Sequence, residues 1–383
     1  MSETGLAPRL TAFHALLSWK KGQGFVQNNL QQSCENLPQN DRALAYEIAM
    51  GTCRTLSDLD EKLKSLMREL PEEPYRTILE ISLYQLLCTR IPPYAVVNSA
   101  VNLTRNLTGE HKVKFVNAIL RNALRKNFAK INSMAKAPPQ WLRVNTQKTS
   151  VKDILLRLAL QEPKTLFDKF ILVPNAGEFL KNPLFEKGFY SFQNPASFFM
   201  AKMCEIKSGH KIWDACAAPG GKTAMLAEEN PGAFFFSTDS NEKRSLKLFD
   251  LQKRLGLKNV HIAVANAQNS PCSQKFDCII ADVPCSNMGV ASRRPEVLQG
   301  ISKEKIEELA KKQLAILQGV CSSLKNGGIL IYSVCSQEKE ETSEVVENFL
   351  KSNPNFTQEE SILTNLPEVD NFFMAKLKRN GDD

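Results

Sequence analysis

Four short stretches of this 383-residue chain combine residue types that can do chemistry. Asp214-Ala215-Cys216-Ala217-Ala218-Pro219-Gly220-Gly221-Lys222-Thr223 reads as a strand end, a glycine turn and a helix start. Glycine lets the backbone approach a ligand closely, and free amides at a helix N-terminus suit negatively charged groups. Ser237-Thr238-Asp239 ends the next strand, and an acidic residue about 20 positions beyond a glycine turn can accept hydrogen bonds from a ribose. Asp239 alone would read as a cap for the helix after Asn241. In Asp282-Val283-Pro284-Cys285-Ser286-Asn287-Met288-Gly289 the proline forces a turn that presents Asp282 and Cys285 at a sheet edge. Tyr332-Ser333-Val334-Cys335-Ser336 ends a strand that begins after Gly327-Gly328.

Gly221-Lys222-Thr223 mimics the end of a phosphate-binding loop, but that loop requires glycine at position 216, where this chain has cysteine. A dinucleotide-type G-x-G-x-x-G is also absent. Taken singly, Cys285 and Cys335 read as buried thiols. Two thiols ending two strands, beside a ligand loop ending a third, make a site. Two thiols, a carboxylate and a nucleoside-like cofactor are consistent with methylation of a pyrimidine carbon. C5 of cytosine is a poor nucleophile until a thiolate adds to C6. A donor near N3 then stabilises the electron-rich ring, C5 takes the methyl group, and a base removes the C5 proton so that the thiol can leave. A carboxyl held protonated can be that donor, a role open to Asp282. Physics alone does not rank the two thiols.

Composition narrows the setting. Hydrophobic residues make up 43% and charged residues 23%, as in a globular protein. Lys and Arg number 49 against 41 Asp and Glu, a formal charge of +8 compatible with a polyanionic partner. No apolar run is long enough to span a bilayer, and the N-terminus lacks a secretory layout. Ten cysteines read as thiols of a reducing compartment, and the four histidines stand far apart, so no metal site is expected.

The elements that must position these residues follow from periodicity. Residues 1–133 read as helix throughout, with Phe13 and Leu16, Leu44 and Ile48, Leu79 and Leu83, and Phe115, Ile119, Ala123 and Leu124 at helical spacing. Tyr94 and Trp19 are read as core. Residues 134–191 form a small α+β connector, with strands at Trp141–Thr146 and Phe170–Val173. Residues 192–383 alternate strand and helix, which favours an open, mostly parallel sheet with helices on both faces. Ligands bind beyond the C-terminal strand ends of such sheets, where every motif above falls. The last residues, Arg379–Asp383, are expected to fray.

The strings DACAAPGGKT, DVPCS and YSVCS resemble the signatures of S-adenosyl-L-methionine-dependent RNA 5-methylcytosine methyltransferases, within them the bacterial RsmB/Sun/Fmu type acting on small-subunit ribosomal RNA. Arg90–Val101 and Phe115–Arg121 resemble the NusB-like helical RNA-binding domain of those enzymes. Trp141–Thr146 resembles their connector, Gln193–Ser197 the entry to their catalytic domain, and Asn371–Lys378 their terminal strand. The resemblance implies a Rossmann-like methyltransferase domain behind an all-α NusB-like domain. It implies that Cys216, Ala217, Ala218, Pro219, Gly220, Gly221 and Lys222 line the methionine end of the cofactor, that Asp239 holds its ribose and that Asn266 contacts its adenine. Asp282 would sit between cofactor and base, with Lys222 among the catalytic residues; Cys335 would be the nucleophile and Cys285 would assist release.

Three departures from the family stand out: Asn266 stands where Asp is usual, Ser292 replaces an arginine, and Asn287-Met288 replace small residues. The expected partner is small-subunit ribosomal RNA, with no membrane and no metal, for a cytoplasmic monomer. Arg121, Arg125, Lys126 and Lys130 offer a basic face for it. Two alternatives stay open: the same chemistry on transfer RNA, or a catalytically inactive NusB-like RNA-binding factor.

Overall fold

A computed structural model describes residues 5–131, 138–174, 176–270, 275–299 and 301–381. The expected boundary between residues 133 and 134, Cys272, and Asp382 and Asp383 lie outside them. The chain divides into two units.

The first is all-helical: α1 (Leu6–Lys20), α2 (Val26–Ser33), α3 (Gln39–Arg54), α4 (Leu56–Leu66), α5 (Glu73–Cys88), α6 (Pro93–Thr108) and α7 (Val113–Lys126). Pro93 opens α6 at a position where its missing N–H costs nothing, and Gly109 ends it at positive φ. Phe13, Leu16, Ile48, Leu79 and Leu83 are buried in one core, as their spacing predicts. On α7 the buried stripe is Val116, Leu120 and Ala123, one position over from Phe115 and Ile119, which pack only partly against it. Both rows are apolar, so the sequence gives two adjacent candidate faces. Leu124 is exposed, and Tyr94, expected in the core, is 77% exposed at the start of α6. Trp19 packs partly against the core.

A stretch remote in sequence joins this unit. Arg294 lies over the Phe25 ring, the Gln27 amide donates to Glu296, and Gln299 donates to Ser57. The chain thus leaves the DVPCS loop and enters the helical unit within a few residues.

The second unit begins with β1 (Gln140–Val144), α8 (Val151–Arg157), β2 (Thr165–Leu166), β3 (Phe170–Val173), two single-turn helices α9 (Gly177–Leu180) and α10 (Pro183–Glu186), and β4 (Tyr190–Phe192). These strands form an antiparallel sheet in the order β2-β3-β1-β4. Then follow α11 (Ala196–Met203), β5 (Lys211–Asp214), α12 (Gly221–Glu229), β6 (Phe234–Asp239), α13 (Glu242–Leu255), β7 (Val260–Val264), β8 (Phe276–Asp282), α14 (Lys303–Cys321), β9 (Leu324–Val334), α15 (Ser343–Ser352), β10 (Phe356–Leu363) and β11 (Phe373–Arg379).

The large sheet runs β10-β11-β9-β8-β5-β6-β7. Its pairings are parallel from β7 through β9 and antiparallel at β9, β11 and β10. The central strands read as continuous apolar runs because helices cover both faces. β10 carries no such run: from Thr357 to Ser361 its side chains are exposed, as an edge strand permits. The chain stays ordered through Arg379, whose guanidinium donates to the Cys321 and Leu324 carbonyls.

The small sheet is tied to the large one by a buried ion pair. Arg143 on β1 donates to Glu228 on α12 and, at 2.6 Å, to Gln193, which donates to Ser197 at 2.8 Å. Both charged side chains are almost wholly buried. Removing one partner strands the other charge away from water, which costs about 3–5 kcal/mol. Glu228→Ala should therefore lower unfolding stability by that order, read from the urea midpoint, whereas truncating the exposed Lys164–Glu368 pair should cost under about 1 kcal/mol.

Candidate active site

Each parallel strand of the large sheet delivers one motif at its C-terminal end. β5 ends at Asp214 and passes into the glycine turn, β6 ends at Asp239, and Asn266 follows β7. β8 ends at Asp282, and Cys335 follows β9. The turn between β5 and α12 needs glycine at position 220: φ is 105°, and a Cβ there would stand 2.3 Å from Leu248. With no side chain at that point, α13 closes against the turn. Arg244 on α13 donates to the Ala218 carbonyl and sits 3.5 Å from Asp239, linking the turn to the end of β6.

Asp214 is fully buried beneath the turn. Thr223 donates to its Oδ2, and the Cys216 amide eases its charge, yet Oδ1 has no partner of hydrogen-bond geometry. Burial is the main cause that pushes its carboxyl up to about 7. Asp239 is buried and accepts from the Asn241 amide through Oδ1. Asn266 is exposed; its Oδ1 accepts from the Gln268 amide at 3.1 Å, so the side chain is already turned into a local loop contact. Burial raises the Cys216 thiol above its usual value, which disfavours the thiolate. An orphaned buried carboxylate oxygen, a glycine turn at a helix start and a strand-end Asp fit a nucleoside cofactor with a cationic end.

Lys222 and Asp282 form an ion pair at 2.6 Å, with the Lys222 ammonium also 4.9 Å from the Phe372 ring centre. Burial opposes the charge on Lys222, but the Asp282 carboxylate beside it prevails and raises its pKa. The two thiols expected at separate strand ends meet: Cys285 Sγ lies 2.9 Å from Cys335 Sγ. Cys285 is buried, whereas Cys335 keeps partial exposure. The hydrogen bond with Cys335, and then burial, raise Cys285 well above the usual thiol value. The Cys335 thiol in turn donates to Asn287 Oδ1 at 3.2 Å, and Asn287 donates to the Cys285 carbonyl.

The loop carrying Cys285 is held by backbone. Gly289 N donates to the Cys335 carbonyl and Gly289 O accepts from the Asn371 amide, each at 3.0 Å. A Cβ at Gly289 would stand 2.0 Å from the Asn371 carbonyl oxygen, so only glycine fits. Arg244, Asn287, Gly289 and Phe372 have no catalytic signature in sequence. Arg244 alone carries a signal, lying one helical turn into the element after Asp239. The substituted Ser292 is an exposed turn residue.

Residues 201–378 match the family described as 16S rRNA methyltransferase RsmB/F, and residues 6–125 match the NusB family. The chain is similar to Ribosomal RNA small subunit methyltransferase B of Citrobacter koseri, 31% identical over 94% of this chain and 95% of that protein. The protein of the same name from Yersinia pestis is 30% identical over 90% of this chain and 92% of its own. Among solved structures, PH0851 superposes with a TM-score of 0.79 over 99% of this chain and all of its own, at 19% identity. NSun6 from Pyrococcus horikoshii superposes with a TM-score of 0.56 over 74% of this chain and 98% of its own, at 21% identity. These two likenesses speak for the fold.

Asp214 gives a pH signature. Its folded-state value stands above the unfolded one, so the folded state holds the proton more tightly. Stability from this group is full below pH 4, falls as pH rises to about 7, and is level above. Wild type should therefore lose stability relative to Asp214→Asn across that window, at up to about 1.4 kcal/mol per pH unit. Paired urea denaturation curves measure it, and parallel curves across the window would refute it.

Proposed function

We propose, from the premise that the chain belongs to the RsmB/F family of 16S rRNA methyltransferases, that it methylates C5 of a cytosine in small-subunit ribosomal RNA through a covalent adduct of Cys335 at C6. Membership makes it an S-adenosylmethionine-dependent rRNA methyltransferase with a NusB-family helical domain. No helix among the described residues is long and apolar enough to cross a membrane. The proposed setting is a cytoplasmic monomer acting on ribosomal RNA.

The observation that carries the reading is the pair of sulfurs 2.9 Å apart, one reachable and one buried. A nucleophile must reach the base, which favours Cys335; a group that serves release can sit behind it, which favours Cys285. S-adenosylmethionine, when bound, supplies the methyl group as an electrophile. Cys216 to Lys222, Asp239 and Asn266 would hold it, with the Asp214 oxygen as a further acceptor. Addition of the Cys335 thiolate to C6 moves electron density to C5 and N3. The donor role near N3 is filled in this reading by the Lys222–Asp282 pair. Asp282 accepts one ammonium N–H, and the ammonium keeps others for an electron-rich ring. After methylation the C5 proton leaves, the C5–C6 double bond reforms, and the C6–S electron pair returns to Cys335.

Wild type, Cys335→Ser and Cys285→Ser, each incubated with S-adenosylmethionine and ribosomal RNA and run on denaturing gels, test this directly. Cys285→Ser should accumulate RNA-linked protein because release stalls. Cys335→Ser should give neither the adduct nor 5-methylcytosine. The reverse pattern would swap the two thiols. Methylation of transfer RNA alone would move the substrate, and no 5-methylcytosine on any RNA would sink the reading.

A further inference from the structure

Behind the two sulfurs lies a buried polar cluster for which the chemistry above has no use. Glu341, in the turn after β9, has no exposed surface. Its carboxylate accepts from the Ser286 amide at 2.9 Å, from the Ser286 hydroxyl, and from the Gln313 side chain on α14 at 2.9 Å. Gln313 also donates to the Pro284 carbonyl at 3.0 Å. The Tyr332 hydroxyl on β9 lies 2.9 Å from Gln313 Oε1 and 2.6 Å from the Glu341 carbonyl oxygen. Ser286 Oγ is 3.2 Å from Ser336 Oγ. The residue after each cysteine therefore belongs to one cluster, and Pro284 on the other side of Cys285 belongs to it as well. A buried carboxylate held only by neutral donors is a costly way to fill a core, where apolar side chains of the same volume serve at least as well.

We propose that Glu341 is a positioning residue: it clamps the Pro284–Ser286 turn so that the Cys285 thiol stays protonated against the Cys335 sulfur, ready to give that sulfur its proton on release. The assignment rests on the reading of Cys335 as the nucleophile. In the release step a solvent base takes the C5 proton, and the C–H electron pair becomes the C5–C6 double bond. The C6–S bond breaks with its pair on Cys335 sulfur, the Cys285 S–H proton moves to that sulfur, and Cys285 recovers a proton from solvent. Cys335 and Glu341 raise the pKa of Cys285 and the Asn287 amide lowers it, with Tyr332 packed beside it. Cys335 is in turn among the groups that raise Lys222. Glu341 thus supplies both the geometry and a negative field that keeps the Cys285 proton in place.

Two readouts separate this role from plain structural support. Alkylation of Cys285 by iodoacetamide, followed against pH by mass spectrometry in the Cys335→Ser protein, gives a midpoint. Adding Glu341→Gln should lower that midpoint by roughly one pH unit. In the otherwise wild-type protein, Glu341→Gln should lower kcat roughly tenfold, leave KM for RNA unchanged and accumulate RNA-linked protein. Ser286→Ala keeps the carboxylate and removes one bond to it, so it should lower kcat less and leave the midpoint in place. Glu341→Gln at wild-type turnover, or slowed with neither adduct nor shifted midpoint, overturns the proposal. Should Glu341→Gln fail to fold, wild-type turnover in Ser286→Ala overturns it equally. A lowered midpoint in a protein that makes no 5-methylcytosine upholds the hold of Glu341 on Cys285 and sinks the methylation reading instead.

Discussion

The parallel pairing of β8 with β9 is the constraint on which the chemistry depends. Asp282 stands opposite Ser333 in that ladder, and Val283 N still donates to the Ser333 carbonyl one step beyond it. The two strands therefore end in register, and the residues that follow them turn out of the sheet at the same level. Cys285 and Cys335 are 50 positions apart in sequence, yet this register makes their sulfurs neighbours. A slip in the ladder would turn the side chains to the other face and part them. Everything nearby keeps that register productive: Gly289 bonded to the Cys335 carbonyl and to Asn371, and the Glu341 cluster beneath.

The half of the site proposed for the cofactor is organised differently. Its parts are backbone turns and strand-end carboxylates, which need no contact with one another, only a shared sheet edge. What joins them is packing. Gly220 lets α13 approach, and α13 brings Arg244 to the Ala218 carbonyl and to Asp239. Asp214 keeps a buried oxygen that no described residue satisfies, the kind of group a bound ligand can complete. The charged pair Lys222–Asp282 lies between the two halves, so that one ammonium faces both the thiol side and the glycine turn.

The helical unit has a core of its own, and its link to the chemistry is covalent. The chain that carries Cys285 and Gly289 goes on, within a few residues, to a segment whose Arg294, Glu296 and Gln299 contact Phe25, Gln27 and Ser57. Glu296 is buried there, and burial raises its carboxyl.

Much was legible in the sequence because it depends on local rules. Helical spacing marked α1, α3, α5 and α7 within a stretch read as helix throughout, and apolar runs marked β5 to β9, since a central strand covered on both faces must be apolar along its length. Motif placement followed from the strand ends. Less was legible where two answers satisfy the same rule. α7 offers two adjacent apolar rows, and β10 has an edge strand's polar face, so neither the stripe of the one nor the existence of the other could be read. Tyr94 looked like core because aromatic residues usually are, yet it is largely exposed. At the site, sequence determined which residue types stand at which strand ends. It did not rank the thiols, since accessibility is a property of the fold: Cys285 is buried and Cys335 is not. It gave no sign of the roles of Gly289 and Glu341, which exist only through partners distant in the chain. Nor did it show that Asp282 is paired with Lys222, because a hydrogen bond spanning 60 residues is decided by where two strand ends meet.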